Sequence, residues 1–180
     1  MATVKKHKLA ARSAKRELVI TRVFDAPGEV VWKGWTDPEL FKGWWGPKDF
    51  TAPFIRIDLR VGGKFVYCMR GAGPDGTVQN YWNTGVYQQI DPKKKLVMTM
   101  SFADELGNPV PASHYGMPGE WPMEITLTAA FEEKRGKTKI TVRETGIPVE
   151  MVEMAGLGWK QSLEKFAEIM ANAVEMKRAA

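Results

Sequence analysis

A chain of 180 residues with 44% hydrophobic content is long enough for one globular core, and its single cysteine excludes an internal disulfide framework. No apolar run reaches the ~18–20 residues that a membrane span needs, and no apolar core of a secretory signal follows the basic start. The net charge of +5 is no argument for nucleic acid: residues 1–16 hold six of the 26 basic side chains and no acidic one, leaving 20 basic against 21 acidic residues in the body.

Residues 1–15 accordingly read as a basic, flexible N-terminal tail (Lys5, Lys6, Lys8, Arg12, Lys15), and residues 16–180 as one folded domain. The tail is expected only to aid solubility; contact with nucleic acid, an anionic membrane or an acidic partner is the alternative, and its acid-free start also resembles an organellar transit segment. For the body the expectation is a cytoplasmic protein with no nucleic-acid partner and no stable membrane insertion.

A strand is expected over Glu17 to Phe24, then Pro27 with Glu29 opens a short helix through Val30, Val31 and Trp35. Asp37-Pro38-Glu39 is a second helix start, an N-cap followed by proline at the first helical position. Strands follow over Phe54–Leu59 and Lys64–Arg70, the latter with Phe65, Tyr67 and Met69 on one face and Cys68 on the other. The pattern continues with Thr77–Ile90, stopped by Asp91-Pro92, and Leu96–Phe102 with Met98 and Met100 on one face. Ala103–Trp121 is rich in glycine and proline and reads as a long loop. Met123–Glu132 and Lys137–Glu144 form a hairpin about Lys134-Arg135-Gly136. Gly156-Leu157-Gly158-Trp159 then opens a long helix whose Trp159, Leu163, Phe166, Ile169, Met170 and Ala173 make one apolar stripe.

The chain is poor in recognisable chemistry. Gly71-Ala72-Gly73-Pro74-Asp75-Gly76 matches G-x-G-x-x-G, but a strand follows it where a phosphate site needs a helix N-terminus, so it reads as a hairpin turn. Cys68 reads as a buried, inert thiol. His7 lies in the tail, which leaves His114, beside Tyr115 in the long loop, as the one histidine of the body. No spacing of His, Cys, Asp or Glu matches a metal site, and neither metal nor cofactor is expected.

Several motifs in order carry a resemblance: Phe24-Asp25-Ala26-Pro27, Val31-Trp32, Thr36-Asp37-Pro38-Glu39, Trp44-Trp45-Gly46-Pro47, Asp58 through Phe65, Gly85-Val86, Ile90-Asp91-Pro92, and Gly158-Trp159 with Leu163. Over roughly residues 17–172 the chain resembles the START-like (SRPBCC) superfamily and, within it, the Aha-type family named for the activator of a heat-shock-protein ATPase. The resemblance implies an α+β helix-grip fold: a curved antiparallel sheet wrapped around a long C-terminal helix, two short helices after the first strand, and a hydrophobic cavity between sheet and helix.

On that expectation the cavity is lined by Phe65, Tyr67, Met69, Trp82, Met98, Met100, Trp159, Leu163 and Phe166. Asn80, Thr84, His114 and Tyr115 serve as its polar anchors, and the loop carrying His114, Tyr115 and Trp121 is expected to cover its mouth. The leading function is binding of a hydrophobic or aromatic small molecule or lipid, without a catalytic residue. The alternatives are a polyketide cyclase or hydrolase-like activity in the same cavity, and a co-chaperone-type contact, linked to stress response, that stimulates a heat-shock-protein ATPase.

Overall fold

The computed structural model describes residues 16–73 and 75–179; the basic tail lies outside them. In chain order the elements are β1 (Arg16–Phe24), α1 (Gly28–Thr36), α2 (Pro38–Lys42), β2 (Thr51–Ile57), β3 (Lys64–Ala72), β4 (Val78–Asp91), β5 (Lys95–Ala103), β6 (Ile125–Lys134), β7 (Lys137–Ile147) and α3 (Val152–Ala179). The seven strands form one sheet in the order β1-β7-β6-β5-β4-β3-β2, and every pairing is antiparallel. Five of the six pairings join sequence neighbours, so short turns build most of the sheet; β1 alone crosses to pair with the last strand.

Helix and sheet meet through matched faces. Trp159, Leu163, Phe166 and Met170 are buried along α3 at spacings of four, three and four, as the apolar stripe requires. Opposite them lie the inward residues of the sheet, including Leu18, Leu127, Ala129, Phe131, Ile140 and Val142. The helix begins at Val152, earlier than the two glycines suggest, because Val149–Met151 forms a 3-10 turn that feeds directly into it. Gly156 is buried with only Leu18 near its missing Cβ, so its smallness serves close packing inside a helix that has already started.

The two short helices wedge between α3 and the sheet. The first free amide of α1, Gly28 N, donates to Glu133 Oε2 at 2.9 Å, so a carboxylate from β6 caps a helix 105 residues away in sequence. Asp37 Oδ1 accepts from Glu39 N at 3.0 Å and caps α2 as the Asp-Pro-Glu pattern predicts. Gly34 lets α1 lie against α3, since a Cβ there would sit 2.5 Å from the Phe166 ring. Gly71 and Ala72 end β3, and the turn of the β3–β4 hairpin is closed by Gly73 N donating to Thr77 O at 2.9 Å. No helix among the described residues is long and apolar enough to cross a membrane.

Candidate functional site

Between α1, the end of α2, α3 and the inner face of the sheet lies a cavity of ≈ 10 Å³ lined by Trp35, Phe41, Trp45, Tyr67, Met98, Met100, Leu127 and Trp159. That is room for about one water. The wall is an aromatic cage: Trp159 stacks on Trp35 with centroids 6.1 Å apart and meets Trp45 edge-on at 5.7 Å. Phe41 stacks on Trp45 at 5.2 Å and packs on Tyr67 at 4.6 Å. Met98, Met100 and Leu127 form the sheet side, with flexible thioethers where the wall has most freedom to adapt.

Polar atoms on this wall are few and unusual. Trp35 Nε1 and Trp45 Nε1 are the buried side-chain nitrogens or oxygens that have no hydrogen-bond partner among the described residues. An indole N–H is a donor only, and leaving one unpaired in a core costs about 1–3 kcal/mol. Trp44, in the same cluster, shows the ordinary solution: its Nε1 donates to Gly34 O at 2.9 Å. The Tyr67 and Tyr87 hydroxyls lie 3.0 Å apart, and burial pushes Tyr67 well above the usual phenol range and Tyr87 up to about 12. Both phenols are therefore neutral at physiological pH.

Glu144 is the second unusual group. It pairs across the sheet with Leu127 on one side and Leu18 on the other, so its carboxyl shares the inner face with a residue of the cavity wall. It is 4% exposed, and burial pushes its pKa up to about 7, with a hydrogen bond from the Trp159 side chain partly opposing the shift.

A strap holds Trp45 in the wall. The segment after α2 turns through Gly46 and Asp49, both at positive φ. It is fastened to α3 by Lys165, whose Nζ donates to Gly46 O, Pro47 O and Phe50 O at 2.9, 3.2 and 3.0 Å. Lys48 N adds a bond to Gln161 Oε1 at 3.2 Å.

The expected residues separate into three groups. Tyr67, Met98, Met100 and Trp159 border the cavity; Phe65 stacks behind Tyr67 at 4.3 Å, and Leu163 and Phe166 are buried deeper along α3. Met69 packs half-buried at the margin of the core. Asn80, Trp82 and Thr84 point the other way. Tyr67 pairs with Asn83, so the inner face of β4 holds Tyr81, Asn83, Gly85 and Tyr87, while Trp82 pairs with Cys68 on the outer face and packs on Phe54 at 5.5 Å. Thr84 Oγ1 donates to Phe65 O and Asn80 accepts from Arg70, which are structural bonds away from the cavity.

The long loop does not border the cavity either. His114 is exposed. The Tyr115 hydroxyl donates to Ala103 O at 2.6 Å and accepts from Trp82 N at 3.1 Å, tying the loop to the end of β5 and to β4 beside it. Its first half turns around Asp104, whose Oδ1 accepts from Leu106 N and Asn108 N, and places Gly107 over Val66 on the outer face. Trp121 and Met117 pack against the core, Trp121 on Phe102 at 5.3 Å. The expectation of a flap over the mouth is thus corrected: β5 ends at Ala103 where the loop begins, and Ala103 O and Trp82 N of the neighbouring β4 anchor it there.

Comparison with known proteins agrees with this architecture. The family model described as activator of Hsp90 ATPase homolog 1-like protein matches residues 25–171. A solved structure of a protein from Arthrobacter aurescens is similar at 29% identity and a TM-score of 0.68, covering 87% of this chain and 86% of its own. One from Chromobacterium violaceum is similar at 25% identity and a TM-score of 0.69, covering 86% and 96%. An AHSA1 protein from Silicibacter pomeroyi, at 21% identity and a TM-score of 0.67 over 88% and 99%, speaks to the fold alone. Among curated proteins none matches the chain.

Proposed function

The chain belongs to the activator of Hsp90 ATPase homolog 1-like family, and on that premise we propose that it binds an apolar or aromatic small molecule in the cavity between sheet and α3. The observation that carries the reading is the pair of buried, unpartnered indole N–H groups on the wall of an otherwise apolar cage. Small-molecule sites combine such apolar walls with a few placed polar atoms. A solid core of the same residues would gain nothing from leaving two donors unpaired.

Binding enlarges the ≈ 10 Å³ space. Met98 and Met100 change rotamer at small cost, and Trp45 moves with the strap that Lys165 holds. Native mass spectrometry of protein purified without detergent, followed by calorimetric titration with 1-ethylnaphthalene, tests the reading. Saturable one-to-one uptake that Met100→Trp abolishes supports it. Absence of uptake, or uptake that Met100→Trp leaves unchanged, contradicts it.

A second reading has one observation in its favour. Glu144, buried on the inner face with a pKa of about 7, has the poise of a general acid or base. Under this reading His114 and Tyr115 have no catalytic part, and Glu144 exchanges a proton with a ligand held against Trp159. Deuterium exchange into the methyl group of 1-acetylnaphthalene, faster with the protein than without it and abolished by Glu144→Gln, is the expected signature. Equal exchange rates with and without protein remove the reading.

A further inference from the structure

We propose that the cavity selects neutral aromatic carbonyl compounds, whose oxygen accepts hydrogen bonds from the Trp35 and Trp45 indoles. The inference rests on the binding reading above and names its ligand class.

Three indoles border the cavity: Trp35, Trp45 and Trp159. Trp159 lies beside the buried carboxyl of Glu144, and its side chain lowers the pKa of that group. Trp35 and Trp45, 2% and 8% exposed, have no acceptor, and both rings lie against Trp159 or the neighbouring aromatic wall. The fold can supply a backbone acceptor to a buried indole, as Gly34 O does for Trp44. Among the described residues it fails to do so at two buried indoles, and both belong to side chains that border the same space. A ligand that enlarges the space and brings an oxygen gives these two donors the acceptor the fold withholds.

Charge decides which oxygen. No Lys, Arg or His borders the cavity, so a carboxylate or phenolate would lose its hydration without gaining a counter-ion. Tyr67, which lines the space, is a neutral phenol, and the carboxyl of Glu144, beside Leu127 of the wall, has the same sign as such an anion. A bound cation gains from the aromatic faces but leaves both indole donors unpaired. An alcohol or amine fills its place only through a lone pair already weakened by its own donor needs. A ketone, aldehyde or quinone oxygen offers two lone pairs, no hydrogen and no charge. The flat walls of Trp35, Trp159 and Phe41 favour an aromatic body around it.

Calorimetric titration of the intact protein at neutral pH with three ligands of one shape tests the selection: 1-acetylnaphthalene, 1-ethylnaphthalene and 1-naphthoate. The ketone is expected to bind about 10–100-fold more tightly than the hydrocarbon, about tenfold for each hydrogen bond gained. Naphthoate is expected to bind most weakly. Trp35→Phe and Trp45→Phe, which keep an aromatic ring and delete the N–H, should each lower the ketone-to-hydrocarbon ratio about tenfold. Should either variant fail to fold, the ratio in the unaltered protein still decides the matter. Equal affinities for ketone and hydrocarbon overturn the selection while leaving the cavity a binding site. Tighter binding of naphthoate, or of tetramethylammonium, overturns it in favour of a charged ligand. Binding of none of these overturns the cavity reading itself.

Discussion

The two faces of the sheet bury comparable chemistry in opposite conditions. On the outer face, under the loop from Asp104, polar groups are matched: Thr84 Oγ1 donates to Phe65 O and Val86 N to Thr99 Oγ1. On the inner face, beside the cavity, two indole donors have no partner and a carboxyl is buried with only an indole to support it. A matched face is a finished core, in which removing any member leaves another unpaired. An unmatched face holds polar capacity in reserve, which the proposed ligand would use. Under the proposed binding, stability belongs to one side of the sheet and recognition to the other.

The largest expected effect lies with Glu144. Its folded pKa is raised, so the folded state holds the proton more tightly than the unfolded chain does. The sign follows: its contribution is fully favourable below the ordinary carboxylate pKa and is lost as pH rises through about 7. A shift of this size corresponds to about 3 kcal/mol at most. Glu144→Gln should therefore match the unaltered protein at pH 4 and exceed its stability by up to about 3 kcal/mol at pH 8, measured by urea denaturation. Equal stability of the two at pH 8 would place the carboxyl in contact with water or a cation.

Lys165 links the two regimes, because its bonds are structural while its cargo, Trp45, is part of the wall. Lys165→Met should cost about 1–3 kcal/mol and should also speed ligand entry, read by stopped-flow tryptophan fluorescence. Lost stability with an unchanged entry rate would show that the strap is not the gate. At the end of β5, away from the cavity lining, Tyr115→Phe should cost about 1–3 kcal/mol through the two backbone groups it strands, with ligand affinity unchanged. Altered affinity would bring the loop back to the cavity. Cys68 gives the smallest effect: buried, with its thiol pushed up to about 11, it should resist alkylation at pH 8 until the protein unfolds.

Much of this molecule can be read from residue order. Turn chemistry at Asp91-Pro92 and at Arg135-Gly136 ends strands within a residue or two of the observed bounds, since proline and positive φ leave the chain few choices. Alternation over Phe65, Tyr67 and Met69 identifies the inner face of β3 because its outer partners differ in kind. On β4 the same device fails. Tyr81, Asn83 and Tyr87 alternate with Asn80, Trp82 and Thr84, both sets mix aromatic and polar residues, and only the pairing of Tyr67 with Asn83 settles the phase. Trp35 reads as part of a short helix and Trp45 as part of a motif that carries the resemblance; what marks them is the missing acceptor, a property of three-dimensional neighbours. Glu144 reads as the polar end of a strand until Leu18, Leu127 and Trp159 are placed around it.

The central claim, that the unpaired indoles are the recognition groups, is tested most directly by the ¹⁵N–¹H spectrum of the seven tryptophan side chains during titration with 1-acetylnaphthalene. The Trp35 and Trp45 indole resonances should move together and saturate, while Trp44, bonded to Gly34 O, and Trp82, on the outer face, stay in place. Movement of Trp82 with Trp35 and Trp45 fixed would contradict the account and put the binding site on the other side of the sheet.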